Sequence, residues 1–148
     1  MNMFRSLVIS ASGLSAERLR MDIISANIAN ADSTRSPQGG PYRRQVALLA
    51  ADSGSASFKQ ILDKSRGKQE MPGGVRVVGI EEDPSPTRKI YDPQHPDAAE
   101  DGYVEYPNVE VMKEMVELIT ASRAYEANVT VINSTKNMAL KTLEIGRG

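Results

Sequence analysis

The chain has 148 residues and a formal net charge of −1, enough for one domain or a small domain with arms, and without the basic excess that would follow a nucleic-acid backbone. Hydrophobic residues make up 40% but aromatics only 5%, so a core must be filled by Leu, Ile, Val and Met, which concentrate towards the two ends. Cysteine is absent, which excludes disulfides and thiolate metal sites.

The first residues, MNMFRSLVISASGLSAER, have the outline of a secretory signal: Arg5, a few apolar residues, then small ones. The strongly apolar part covers only residues 7–9, short of the roughly 7–15 residues of a signal core. Nor does any apolar run reach the ~20 residues of a membrane span. The 3–4 spacing continues beyond Gly13 into Ile23 and Ile28, so the expectation is a retained helix over residues 3–30. Phe4, Leu7, Ala11, Leu14, Met21 and Ile28 form its stripe, interrupted by Arg18 and Ser25. Gly13 costs a helix roughly 1 kcal/mol against Ala, and the many small residues around it fit either a weakly packed surface helix or, the reading preferred, a helix with a closely approaching partner. At the helix end stand Asn27 and Asn30, followed by a dense turn cluster over residues 31–41. Two readings fit the carboxamides: hydrogen-bonding groups that set register in a crowded interface, or plain helix terminators, Asn30 by a left-handed cap.

The middle of the chain reads differently. Residues 42–50, 75–80, 88–91 and 103–106 have β-compatible content, punctuated by turn pairs and prolines. Residues 57–65 can form a short helix, and residues 51–57 and 63–74 around it, polar and Gly-rich, are expected to be mobile. Pro107 closes the extended region and Asn108 is placed to cap a second helix over 109–145. Val111, Met115, Leu118, Ser122, Tyr125, Val129, Ile132, Lys136, Ala139 and Leu143 follow a 4-3 repeat, with Met112, Ile119 and Leu140 as a second flank. At 1.5 Å per residue this helix reaches roughly 55 Å, too long for the proline-broken middle to cover. Its natural partner is the N-terminal helix. The fold class expected is therefore α+β: two paired terminal helices, coiled-coil-like, with a small β-rich middle domain.

Chemistry is harder to find. His95 is the sole histidine and sits in a proline-bracketed turn, where a solvent-facing role is the ordinary one. The serines lack a nucleophile elbow, and SPQGGPYRR has no phosphate-loop Lys. Glu81, Glu82 and Asp83 read as a solvated acidic run without alternating calcium-ligand spacing. Arg43 and Arg44 have no aromatic platform for bases, and the glycosylation triplets at Asn128 and Asn133 fall inside the helix. No catalytic, cofactor-binding or metal-binding residue is expected, nor a nucleic acid or small-molecule substrate.

Two segments then show a resemblance. SGLSAERLRMDIISANIANADST, residues 12–34, resembles the N-terminal signature of flagellar rod, hook and hook-associated axial proteins, and GGPYRR, residues 39–44, follows as in the proximal-rod subset. Residues 101–146, and the intervening 73–98, are similar to the corresponding segments of a bacterial flagellar proximal-rod protein. The resemblance implies a structural subunit that polymerises with itself and other rod proteins into the driveshaft crossing the periplasm. It implies contacts with the rod base, the inner-membrane ring and the export gate, and export through the flagellar type III system without a cleaved signal. It also implies an inner helical domain of residues 1–34 and 107–148 and an outer β-rich domain of 35–106, with a variable loop at 51–72. Asn27, Asn30, Tyr125, Asn128 and Asn133 would supply polar and aromatic contacts in the helical layer, beside the two stripes. The alternatives are a distal-rod or hook-type axial protein, disfavoured by length, and a membrane-peripheral module, for which the N-terminal helix has too many small and polar residues.

Overall fold

The computed structural model describes residues 3–37, 39–52 and 73–146. In chain order the elements are helix α1 (Met3–Ala29), strands β1 (Gln45–Ala51), β2 (Val75–Glu82), β3 (Arg88–Tyr91) and β4 (Tyr103–Tyr106), and helix α2 (Val111–Ile145). β1 pairs with β2, and β3 with β4. The fold is α+β, as expected, and the strands at 88–91 and 103–106 fall where the sequence places them. The expected short helix at 57–65 lies outside the described residues. Residues 51–52 and 73–74, expected to be mobile, are instead tied in: Asp52 N–H donates to Gly74 O at 2.8 Å, and Gly73 N–H to Asp52 O at 2.7 Å.

Many helical hydroxyl groups bond back to their own helix. Ser12, Ser15 and Ser25 donate back to Ile9, Ala11 and Met21 carbonyls along α1. Thr120, Thr130, Thr135 and Thr142 do the same along α2. By this means the buried Thr135 sits on a packed face without stranding its donor. α2 begins two residues later than expected, and its first backbone bond runs from Glu114 N–H to Glu110 O. Glu110, not Asn108, occupies the capping position, because the Asn108 carboxamide is engaged elsewhere. Asn30 does not cap α1 in the left-handed region either: no non-glycine described residue has a positive φ. Its Nδ2 donates to Ala26 O, and its Oδ1 accepts from Ser33 Oγ.

Contacts divide the chain into two compact units, and each holds a piece of both helices. The first takes in the described parts of residues 1–18, 49–78 and 122–148. Here the helices approach closely at Gly13, where an added Cβ would stand 3.0 Å from Asn128 Nδ2. Gly74 (φ +144°) lies against α1 as well: an added Cβ would overlap Ser12 Oγ, which accepts from Val75 N–H at 3.1 Å.

The second unit comprises residues 19–48 and 79–121. Its buried apolar side chains include Ile23, Ile24, Ala31, Val104, Pro107, Val109 and Ala121. β3 and β4 run antiparallel, with Arg88 opposite Tyr106, Lys89 opposite Glu105, Ile90 opposite Val104 and Tyr91 opposite Tyr103. Tyr91 and Tyr103 meet edge to face at 5.3 Å, and Lys89 pairs with Glu105 at 3.1 Å. The loop from β3 to β4 is tied to the turn after α1 by Asp97, which accepts from Thr34 Oγ1 at 2.7 Å and pairs with Arg35 Nε at 2.5 Å. His95 is half-buried, not solvent-facing. Its Nδ1 accepts from Asp97 N–H, and its ring meets Tyr106 edge to face.

Candidate functional site

Two features stand out: a buried polar lock in the second unit, and the division of side chains between the inner and outer faces of the helices.

The lock is centred on Asn27, in the last turns of α1, which is fully buried. Its carboxamide lies beside the backbone of Gln45 as a peptide group would in a sheet. Gln45 N–H donates to Asn27 Oδ1 at 2.9 Å, and Asn27 Nδ2 donates to Gln45 O at 2.9 Å. The second proton of Nδ2 goes to Glu114 Oε2 at 2.9 Å, and Oδ1 also accepts from Tyr42 Oη at 2.9 Å. Every donor and acceptor of the amide is used. Glu114, in the first turn of α2, is 0% exposed, and its Oε1 receives Arg44 Nε at 2.6 Å. The same guanidinium reaches both carboxylate oxygens of Glu117 at 3.1 Å and Asp83 Oδ2 at 3.6 Å. Asn108 completes the set: its Oδ1 accepts from Arg44 N–H at 2.8 Å, and its Nδ2 donates to Asp83 O and Ser85 O.

Electrostatics follow this geometry. Burial works against the charge of Arg44, but the hydrogen bond and charge of Glu114, with Glu117 and Asp83, outweigh it and raise its pKa. Burial also raises the pKa of the Tyr42 phenol, helped by the negative charges of Glu114 and Glu82. The Asp83 carboxyl is held below the usual carboxylate range, first by the hydroxyl and backbone N–H of Ser85 and then by Arg44. A buried Arg–Glu pair is costly to desolvate and of small net value against an apolar pair, but losing one partner costs about 3–5 kcal/mol. What such a network provides is a single permitted geometry.

The helix faces are divided in an unusual way. In α2 the buried positions are Glu114, Ala121 and Thr135, at seven-residue multiples, with half-buried Asn128 between. In α1 they are Ser10, Ala16, Ile23, Ile24 and Asn27. Apart from Ile23 and Ile24 these inner positions are small or polar, while Phe4, Val8, Met112, Val116, Ile119 and Met138 are all more than half exposed. Of the stripe residues named from the sequence, Asn27 is buried. Leu7, Leu14, Met21, Ile28, Asn30, Leu118, Ser122, Tyr125, Asn128, Val129, Ile132 and Ala139 are half-buried, and Phe4, Ala11, Val111, Met115 and Leu143 are exposed. Glu81 and Glu82 end β2 and are exposed, in keeping with a solvated acidic run.

Sequence reasoning missed Arg44, Glu114 and Tyr42. The adjacent Arg43 and Arg44 carry no local signal of which turns inwards, although a period of two places them on opposite sides of an extended chain. Glu114 was passed over because the 4-3 frame runs through Met115, one residue away.

This chain, helical at both ends with short strands between them, is similar to the flagellar axial class of structural proteins. Two family models match it: the flagella basal body rod protein over residues 7–37, and the flagellar basal body rod FlgEFG protein C-terminal over residues 100–145. It is 47% identical to the flagellar basal-body rod protein FlgC of Borreliella burgdorferi across 100% of both chains. It is 47% identical to the FlgC of Bacillus subtilis over 99% of this chain and 100% of that one, and 37% identical to that of Salmonella typhimurium over 94% of each. The chain belongs to the FlgC family of flagellar basal-body rod proteins; it is a structural protein of the basal body and not an enzyme.

Proposed function

We propose that the chain is a subunit of the proximal rod, polymerising with copies of itself and with other rod proteins into a periplasmic driveshaft that transmits torque. The observation that carries this reading is the outward placement of Met112, Val116, Ile119 and Met138 while Ala121, Asn128 and Thr135 take the inner positions. A monomeric protein gains nothing from that arrangement. In an assembly each such side chain, once fully covered, contributes roughly 1.5–3 kcal/mol. Contacts between unlike faces of identical subunits build open helical structures where the rotation does not close, as a shaft requires.

The terminal tracts, residues 1–34 and 107–148, form the inner layer in this reading, and 35–106 the outer one, with 51–72 as a variable loop. Assembly surfaces include Phe4, Ala11, Val111, Met115 and Leu143, beside the half-buried stripe positions. Partners at the rod base are the inner-membrane ring and export gate, and export proceeds through the flagellar type III route without a cleaved signal. Among the described residues no helix is long and apolar enough to cross a membrane.

The test separates assembly from folding. Val116→Glu and Ile119→Glu change residues that are 62% and 59% exposed and should leave helix content unchanged by circular dichroism. In cells whose own copy is deleted, either variant should fail to enter basal bodies and to restore swimming. Wild-type motility from the double variant would overturn the reading.

A further inference from the structure

The connection between α1 and β1 closes on itself, with Ser33 N–H donating to Asn30 O, Ser36 N–H to Gly40 O, Gly39 N–H to Ser36 O and Tyr42 N–H to Ser33 O. Asp97 holds Thr34 and Arg35 within it, but Asp97 sits on the loop between β3 and β4 and not on a helix. What attaches the root of β1 to the helices is the polar lock. Asn27 engages Gln45 through both halves of its amide, a two-point contact that fixes direction as well as distance. Arg44, the next residue back, is held through its side chain by Glu114 and Glu117 on α2 and through its backbone by Asn108. Two consecutive residues of the chain are therefore clamped by both helices at once. The end of β2 is drawn in too, since Asp83 N–H donates to Arg44 O at 2.8 Å.

We propose that Asn27, Arg44 and Glu114 form a torsional lock: a positioning device that keeps the root of β1 from pivoting on the helical pair when the assembled rod is under load. This rests on the reading of the chain as a rod subunit and adds a role for particular residues within it. An apolar contact of equal area would hold the segments together but let them slide, because dispersion has no direction. A forked guanidinium and a fully bonded amide do not permit sliding.

The test uses Arg44→Lys, which keeps the charge but cannot reach Glu114 and Glu117 as a fork. In the purified chain, exchange of the Gln45 and Arg44 amide hydrogens should quicken roughly tenfold while amides in the middle of α2 keep their rates. In cells whose own copy is deleted, the variant should build the wild-type number of filaments and swim normally in dilute medium. In viscous medium it should lose speed or shed filaments. Should Arg44→Lys fail to fold, Tyr42→Phe, which removes one bond to Asn27, is subjected to the same two measurements. Unchanged amide exchange, or normal swimming at high load with quickened exchange, would overturn the lock. So would a defect equal at all loads. Failure of the wild-type chain to enter basal bodies would instead count against the rod reading.

Discussion

Asn27 shows how far one side chain can constrain a fold. Aspartate has almost the same shape, yet Asn27→Asp removes both donors and sets a carboxylate beside Glu114, whose Oε2 lies 2.9 Å from the present amide nitrogen. The expected loss is about 3–5 kcal/mol near neutral pH, measured by urea unfolding. It should shrink on acidification, as the two carboxyl groups come to share one proton. Tyr42 gives the opposite pH dependence. Its phenol is held above its ordinary pKa by burial and by the Glu114 and Glu82 charges. Its contribution is therefore complete below about pH 10 and is lost as the pH rises through the folded value. Tyr42→Phe should cost about 1 kcal/mol at neutral pH and show a flatter alkaline decline than the parent, as read from unfolding midpoints across the alkaline range.

At the scale of the element, Gly13 and Asn128 set the spacing of the helices in the first unit. An added Cβ would stand 3.0 Å from Asn128 Nδ2 and 3.2 Å from its Oδ1, tighter than ordinary contact. Asn128 is itself occupied, donating to Ala124 O at 3.0 Å. Gly13→Ala gains roughly 1 kcal/mol of helix propensity and loses a similar amount to crowding, so it should come out near neutral. Combined with Asn128→Ala, the same change should recover that gain of about 1 kcal/mol relative to the single Asn128 variant. Gly13→Leu should destabilise by about 1–3 kcal/mol, the cost of overpacking. Thermal unfolding of the four proteins settles the sign of each. The close approach was legible in the sequence from the run of small residues around Gly13; the residue it would meet was not.

At the scale of the whole molecule, the expectation for Val116→Glu and Ile119→Glu turns on where the apolar area goes. Among the described residues few apolar side chains are fully buried, and the longest helix shows Met112, Met115, Val116, Ile119, Met138 and Leu143 to solvent. Removing one of these from water in an assembled shaft yields roughly 1.5–3 kcal/mol, repeated at every subunit. A charge placed there should leave the monomer's unfolding midpoint within about 0.5 kcal/mol of the parent, as surface changes usually do, while blocking polymerisation. A charge at Ile132 would be less informative, since Ile132 is half-buried and its loss would mix folding with assembly.

The residue pattern by itself determined that both ends are long helices, that they pair, and that short strands lie between them. Period, length and proline placement are local properties, and they survive in any tertiary context that buries one face. It also carried the family, because the terminal motifs are written in contiguous residues. Only the tertiary structure decided the inner face of each helix. With small residues and large apolar residues one position apart, a 4-3 repeat can be framed either way. Close backbone approach at Gly13 selects the frame that puts Asn128 inside. Only the tertiary structure, likewise, brought Asn27, Arg44 and Glu114 together. Asn27 and Glu114 are 87 residues apart in sequence. A hydrogen-bond partner at that distance leaves no trace in local spacing, because the partner is chosen by how the chain returns.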